Sequence, residues 1–229
     1  MLFRSLRNPF GLTLHSNGNL YATDHGPSLG YGKMKIGCGP SDLLADQQRD
    51  DKLVHLIKGK YYGHPNPKRA SVDSDTRQCV WRNPTEPTSA NYQSPLGVIL
   101  SSATGIIEYQ ADHFNGQLRG NLIHVKYKKE LLRTVLSADG LSANPLTIPG
   151  LKLLGQNGLD VAQAPNGNLF EARYTTSSLF ISRPNEAATA AIRVGSVFPT
   201  RGGVAGGTAL RVYGLNFGTS ATEIGRAHV

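Results

Sequence analysis

Residues able to bind an anion or ligate a cation are concentrated in three short segments near the start of the sequence. These are Arg7-Asn8-Pro9-Phe10-Gly11-Leu12, Asp24-His25-Gly26-Pro27 and Asp51-Lys52-Leu53-Val54-His55-Leu56-Ile57. An arginine offers a planar fork of donors that matches a carboxylate. Each segment alone also has a structural interpretation, as a turn with a salt-bridged arginine, a Gly-Pro loop or an exposed sheet edge. Function therefore depends on whether the fold brings the three segments together.

The elements that must position these segments are short strands arranged as a repeat. Residues 10–21 and 159–170 share an alternating apolar strand, an Asn-Gly pair and a second apolar strand. Asn-Gly suits a type I′ turn, so each stretch predicts a β-hairpin. A third Gly-Asn-Leu begins at Gly120, 102 residues after Gly18 and 47 residues before Gly167. Such spacing is close to multiples of one propeller blade, and predicts three to four blades within residues 1–185.

In order and spacing, the three segments and the Gly59–Pro65 turn that follows them resemble the glucose/sorbosone dehydrogenase family, which includes soluble quinoprotein glucose dehydrogenases. The match covers residues 4–70 apart from an insertion at 28–49, with looser similarity to residue 183. The resemblance implies an all-β fold, a partial six-bladed β-propeller. It also implies an oxidoreductase that uses pyrroloquinoline quinone (PQQ) and Ca²⁺ to oxidise a sugar or another alcohol.

The resemblance also implies roles for individual residues. Arg7, Asn8 and Lys128 correspond to residues that contact PQQ, a tricarboxylate ortho-quinone. The backbone carbonyls of Gly26 and Pro27 correspond to ligands of Ca²⁺, a hard cation that accepts such oxygens. The catalytic base of the family is a histidine from an earlier blade, so we expect it outside this sequence.

Two departures from the family pattern argue against activity. The family places an Arg-x-Arg before the Asp-Val strand of a late blade, whereas Asn157 and Leu159 stand there in this sequence. Five of the seven histidines are poor replacements for the missing base, because most of them fall in predicted strands or turns away from the matching segments; they are His15, His55, His64, His113 and His124.

The last part of the sequence has a different residue pattern, which predicts a second domain. Residues 192–223 resemble the opening of an IPT/TIG Ig-like β-sandwich, with a Phe-Pro turn, a Gly-Gly-Thr turn and a Gly-x-Asn-Phe-Gly segment. Residues 186–191 are expected to be a linker. Residues 224–229 match the translation of a sequencing adapter, so we expect an assembly artefact there and an internal fragment of a longer protein.

Composition and charge favour an ordinary globular β-protein over a nucleic-acid-binding protein. The 229 residues include 26 Gly and 13 Pro, and only 17% are charged, which indicates many tight turns and few long helices. The net charge is +8. The basic residues are scattered, however, and rarely alternate with aromatics. Their one local cluster is Arg119, Lys126, Lys128, Lys129 and Arg133.

The two cysteines and the hydropathy leave the compartment to be inferred from the resemblance. Cys38 and Cys79 could form a disulfide or remain free thiols, and their surroundings do not fit a zinc site. No run of about 18 apolar residues predicts a membrane span. The resemblance implies a secreted, extracellular protein.

Two further interpretations remain open at this stage. One is a non-catalytic secreted propeller that joins Ig-like modules and binds carbohydrate or an extracellular protein. The other is a calcium-dependent propeller hydrolase such as a lactonase, which would need a ring of carboxylates and asparagines that the sequence does not show.

Overall fold

The computed structural model describes residues 6–26, 51–62, 91–99, 102–127, 131–147, 158–174, 176–183, 192–199 and 203–217. Within these ranges the chain is all-β, with one 3-10 turn at Phe114–Gly116 and no α-helix. The prediction of an all-β fold is therefore confirmed. No helix in the described part of the chain is long and apolar enough to cross a bilayer.

The strands form four antiparallel sheets, and in the first three each strand pairs with its neighbour in the chain. Sheet 1 contains β1 (Pro9–Leu14), β2 (Leu20–Asp24), β3 (Asp51–Leu56) and β4 (Gly97–Ile99). Sheet 2 contains β5 (Ala103–Tyr109), β6 (Asn121–Lys126), β7 (Leu131–Leu136) and β8 (Ala143–Thr147). Sheet 3 contains β9 (Gly158–Gln163), β10 (Leu169–Arg173) and β11 (Ser178–Ser182), and sheet 4 pairs β12 (Arg193–Phe198) with β13 (Arg211–Leu215).

Sheets 1 to 3 pack face to face with their first strands side by side, as propeller blades do. Strand β1 contacts β5, and β5 contacts β9. Tyr21, Leu53 and Leu122 belong to the buried cluster between sheets 1 and 2. Val125 and Val161 belong to the cluster between sheets 2 and 3. These apolar layers hold the first strands of neighbouring blades together, while the blade number of the whole ring stays a prediction.

The Asn-Gly hairpins lie where the sequence predicts them, but the type I′ turn is wrong. The N–H of His15 donates to the carbonyl of Asn19 at 2.9 Å, which closes a three-residue loop. Gly18 has φ +85°, whereas Asn17 does not have a positive φ. This pattern is a type I turn followed by a left-handed glycine. The β9–β10 loop repeats it, with Gly167 at φ +86°.

A β-bulge interrupts the first strand of each blade near its beginning. At the first bulge, the N–H of Gly11 donates to Thr23 Oγ1 at 3.0 Å, and that hydroxyl donates to the carbonyl of Thr104 at 2.7 Å. A bulge bends its strand and re-aims the residues beside it. The register slips lie between Pro9 and Leu12, between Ala103 and Ile106, and opposite Ala172–Arg173.

Glycines at two of these bulges let the first strands approach closely. A Cβ on Gly11 would lie 2.8 Å from the carbonyl oxygen of Thr104 and 2.9 Å from the backbone nitrogen of Ile106. A Cβ on Gly105 would lie 2.8 Å from Cα of Asp160. Both glycines are therefore required by the contact between neighbouring blades.

The β12–β13 hairpin packs against the loops that join the first two strands of sheets 2 and 3. The N–H of Asp112 donates to the carbonyl of Val194 at 2.8 Å, and Ser196 Oγ donates to the carbonyl of Pro165 at 2.9 Å. The two strands predicted for the start of an Ig-like domain are present. Nothing in two strands identifies the domain, so the IPT/TIG assignment stays a prediction.

Replacing Gly11 with alanine should destabilise the protein by about 1–3 kcal/mol, because the new methyl group meets backbone atoms of β5 that cannot move aside. Gly97→Ala is the matched control, since a Cβ on Gly97 meets nothing within 4 Å. Urea unfolding of both variants measures the difference. Equal losses of stability would contradict the close strand packing.

Candidate functional site

The predicted site residues that the structure describes lie at one edge of the blades, which we call the upper rim. It is the edge at which β1, β5 and β9 begin and β2, β6 and β10 end. The opposite edge carries the loops 15–19, 110–120 and 164–168, and we call it the turn face. Because β1 and β2 are antiparallel, the start of one and the end of the other meet at the upper rim, where Pro9 pairs with Asp24.

Asp24 fixes the backbone of the two residues that precede β1. Its side chain is fully buried, and Oδ1 accepts the N–H groups of Arg7 at 3.0 Å and Asn8 at 2.9 Å. Burial raises the pKa of Asp24, while the hydrogen bond from Asn8 and the charge of Lys52 act in the opposite direction. The carboxylate that holds the Arg7-Asn8 backbone is therefore one whose charged form is disfavoured by burial.

The second oxygen of Asp24 has no hydrogen-bond partner among the described residues. Oδ2 is buried. The residue opposite Asp24 on the neighbouring strand β3 is Lys52. Burial lowers the pKa of Lys52, and the charge of Asp24 offsets part of that effect. A buried carboxylate oxygen without a donor is a place where a cation or an ordered donor would be stabilised.

Asp51, at the start of β3, ties Gly26 to the second blade. Its Oδ1 accepts the N–H of Gly26 at 2.9 Å, and its Oδ2 accepts the N–H of Ala103 at 2.5 Å. The residue is 3% exposed. One carboxylate thus sets the backbone at the predicted metal-binding segment and joins sheet 1 to sheet 2.

His25 connects the same elements through its ring. Asn8 Nδ2 lies 3.1 Å from His25 Nδ1, and His25 Nε2 lies 2.6 Å from the carbonyl oxygen of Ala103. The ring of Phe10 stacks on the imidazole with centroids 6.0 Å apart and planes at 17°. The structure therefore brings Arg7, Asn8 and Gly26 to one rim.

Several predicted residues fall outside the part of the chain that the structure describes, and their roles stay predictions. Pro27, Lys128, Asn157, His64 and both cysteines lie outside the described residues. Leu159 is half-buried at the bulge of β9, where the family pattern has an arginine.

The sequence analysis did not identify Arg173, a cation on β10, the strand that pairs with β9. Arg173 ends β10 and pairs with Gly158 across the sheet, the same relation that Asp24 has to Pro9 in the first blade. Its guanidinium carbon lies 4.1 Å above the ring centroid of Phe180. A repeat alignment that compared the strand ends of the blades would have drawn attention to Arg173.

The described histidines other than His25 lie away from the upper rim. His15 and His113 are in loops of the turn face, and His55 is within β3. His124 is fully buried in β6, where burial lowers its pKa to about 4. None of these four rings is placed to take a proton at the upper rim.

Two described residues of the basic cluster noted in the sequence, Arg119 and Lys126, lie at opposite ends of β6. Arg119 precedes the strand on the turn face and pairs with Asp112 at 2.5 Å. Lys126 ends the strand at the opposite rim. Two strand ends about 17 Å apart do not make a single basic surface. The absence of nucleic-acid binding stays a prediction.

A buried carboxylate lies between the second and third blades. Glu171 on β10 is 1% exposed, and neither carboxylate oxygen has a hydrogen-bond partner among the described residues. A Cβ on Gly158 would overlap this carboxylate. Burial raises the pKa of Glu171 to about 7, although Arg173, with Nε 3.6 Å from Oε2, lowers it in part.

Comparison with known proteins gives a fold and no family. No protein-family model and no curated protein matches the sequence. A solved glucose dehydrogenase matches at a TM-score of 0.52 with 18% identity, over 80% of this chain and 45% of its own. A second glucose dehydrogenase matches at 0.48 with 22% identity, over 73% and 41%. The PQQ domain of pyranose dehydrogenase from Coprinopsis cinerea matches at 0.43 with 14% identity, over 77% and 53%.

The first of these likenesses carries the argument, and it establishes the fold alone. The first has a TM-score above 0.5, so the described part of the chain has an all-β, propeller-type fold like that of a sugar dehydrogenase. The chain spans about half or less of each of these three structures.

Ionisation of Glu171 should make the protein less stable as pH rises. The pKa of Glu171 in the folded protein lies above its ordinary value. The contribution of the protonated carboxyl to the free energy of unfolding is therefore fully present below about pH 4.5 and is lost as the pH rises through about 7. A shift of this size corresponds to about 3 kcal/mol. Glu171→Gln should therefore be more stable than the wild type at pH 8 and similar to it at pH 4.

Glu108→Gln is the control for that experiment, because Glu108 is also buried but accepts hydrogen bonds from the backbone and hydroxyl of Ser16 and from Gln110. Removing its charge should destabilise the protein at pH 8. Denaturant unfolding at both pH values measures the effects. A Glu171→Gln variant less stable than the wild type at pH 8 would contradict the assignment.

Proposed function

We propose that the chain is part of a PQQ- and Ca²⁺-dependent dehydrogenase that oxidises the CH–OH group of a sugar or another alcohol. One observation carries the proposal. Asp24 holds the backbone of Arg7 and Asn8, and Asp51 holds Gly26, so that the two segments expected to bind the cofactor and the metal share the upper rim.

The residues at the rim fit a calcium ion. Ca²⁺ prefers carboxylate and backbone carbonyl oxygens, and Asp24, two residues before Gly26, has a buried Oδ2 with no hydrogen-bond partner among the described residues. The carbonyls of Gly26 and Pro27 would hold the ion, and Asp51 would keep the loop in place through the Gly26 N–H. Such an ion would also offset the desolvation that raises the pKa of Asp24.

The residues also fit a tricarboxylate quinone. Arg7 would pair with its oxygens through the guanidinium, Asn8 would add an amide contact, and Lys128 would add a further cation. Arg173 gives the third blade a cation on the strand next to Leu159, close to where the family has its arginine pair. When bound, the quinone supplies a two-electron acceptor for the hydride that leaves the alcohol carbon.

The proton of the substrate hydroxyl needs a base within hydrogen-bond reach. His25 is the histidine that the described residues place at the upper rim, and both of its ring nitrogens are engaged. The base is therefore expected from a part of the protein outside the described ranges.

A second candidate is a non-catalytic secreted propeller joined to Ig-like modules that bind carbohydrate or protein. Leu159 at an arginine position favours it, because an apolar side chain cannot neutralise a cofactor carboxylate. In either case we assign residues 1–185 to the propeller, 186–191 to a linker and 192–223 to the start of an IPT/TIG domain. The family resemblance also leads us to propose that the protein is secreted.

Arg7→Ala should weaken PQQ binding by about tenfold or more in calcium buffer, because a hydrogen bond to a charged group contributes about 1.5–3 kcal/mol. Equilibrium dialysis of PQQ against the full-length protein, with the blades expected outside this sequence, measures the affinity. Arg119→Ala is the control, since Arg119 lies on the turn face in an ion pair with Asp112. Absence of PQQ binding by the wild type would reject the dehydrogenase and favour the binding propeller.

A further inference from the structure

We infer that His25 is a positioning residue that sets which atoms of Asn8 face the quinone. The inference rests on the proposed function, since it concerns the same rim. Its basis is the pair of contacts made by the two ring nitrogens, to Asn8 on one side and to the backbone of the second blade on the other.

The chemistry of the two contacts fixes the proton on the ring. A backbone carbonyl only accepts hydrogen bonds, so His25 Nε2, at 2.6 Å from the carbonyl oxygen of Ala103, must carry the hydrogen. In a neutral imidazole the other nitrogen is then an acceptor. Asn8 therefore directs its Nδ2 donor toward His25 Nδ1 at 3.1 Å.

This arrangement orients the amide of Asn8. With one N–H used by His25, the amide oxygen and the second N–H remain for other partners. A reversed amide would place Asn8 Oδ1 against an acceptor nitrogen, which is repulsive. His25 thereby selects one of two orientations of a side chain that could otherwise flip.

The ring is itself held from several directions. Phe10 stacks on one face, and Asp51 fixes Ala103 by accepting its N–H. Asp51 Oδ2 lies 4.0 Å from His25 Nε2. The carbonyl of Ala103 selects the tautomer of His25, and Asp51 fixes both Ala103 and Gly26. The orientation of Asn8 is therefore linked to the Gly26 segment.

Two substitutions separate the two ring contacts. His25→Asn keeps an acceptor near the position of Nδ1, whereas His25→Gln keeps a donor near the position of Nε2. By equilibrium dialysis of PQQ with Ca²⁺, His25→Asn should bind within about threefold of wild type. His25→Gln should bind about tenfold more weakly, the effect of one hydrogen bond. In an Asn8→Ala background, His25→Gln should cost nothing further.

His15 provides matched controls on the turn face. Its Nε2 lies 3.0 Å from the carbonyl oxygen of Gly120, and its Nδ1 accepts the N–H of Asn17 at 3.1 Å, so both types of contact are reproduced. His15→Asn and His15→Gln should leave PQQ affinity unchanged. Circular dichroism checks that every variant is folded.

The outcomes distinguish this inference from the proposed function. A full-length wild-type protein that binds no PQQ overturns both. Wild-type binding with an unaffected His25→Gln variant overturns the role of His25 alone, as does a penalty that persists in the Asn8→Ala background. Nitrogen-15 NMR of the histidine rings gives a reading independent of PQQ: a His25 ring that carries its hydrogen at Nε2 alone supports the inference, and a ring with a hydrogen at Nδ1 overturns it.

Discussion

The upper rim depends on a buried carboxylate that accepts backbone N–H groups from two blades. Asp51 accepts hydrogen bonds from the N–H of Gly26, which follows β2 of sheet 1, and from the N–H of Ala103, which begins β5 of sheet 2. Hydrogen bonds to a charged group are stronger than neutral ones, and a buried amide left without an acceptor is costly. Asp24 acts in the same way on Arg7 and Asn8. The buried carboxylates of Asp24 and Asp51 thus fix the backbone segments at the rim, and these segments form the candidate site.

The packing below the rim makes this arrangement possible. Gly11 and Gly105 let the first strands of neighbouring blades approach within contact distance of each other's backbone. The bulges beside them turn the strand starts away from the regular ladder. Glu171 differs from Asp24 and Asp51, because its carboxylate accepts no hydrogen bond from the described residues and fixes no backbone. Its burial raises its pKa to about 7.

The sequence predicted the elements of the fold better than the contacts of the site. The repeated apolar alternation around Asn-Gly predicted the β1–β2 and β9–β10 hairpins, because strand pattern and turn residues are local properties. The turn type was wrong, since a loop of three residues needs a positive φ at Gly18 and not at Asn17. The roles of Asp51 and His25 could not be predicted, because both depend on Ala103, more than 50 residues away in the chain.

The most direct test of the account is the affinity of the full-length protein for PQQ as a function of calcium concentration, with Mg²⁺ as the control cation. If Ca²⁺ and the quinone share the rim, calcium should tighten PQQ binding, and PQQ should tighten calcium binding by the same factor. Magnesium should replace calcium poorly, because it demands a smaller octahedral site. A PQQ affinity that is the same with calcium, with magnesium and with a chelator would contradict the account.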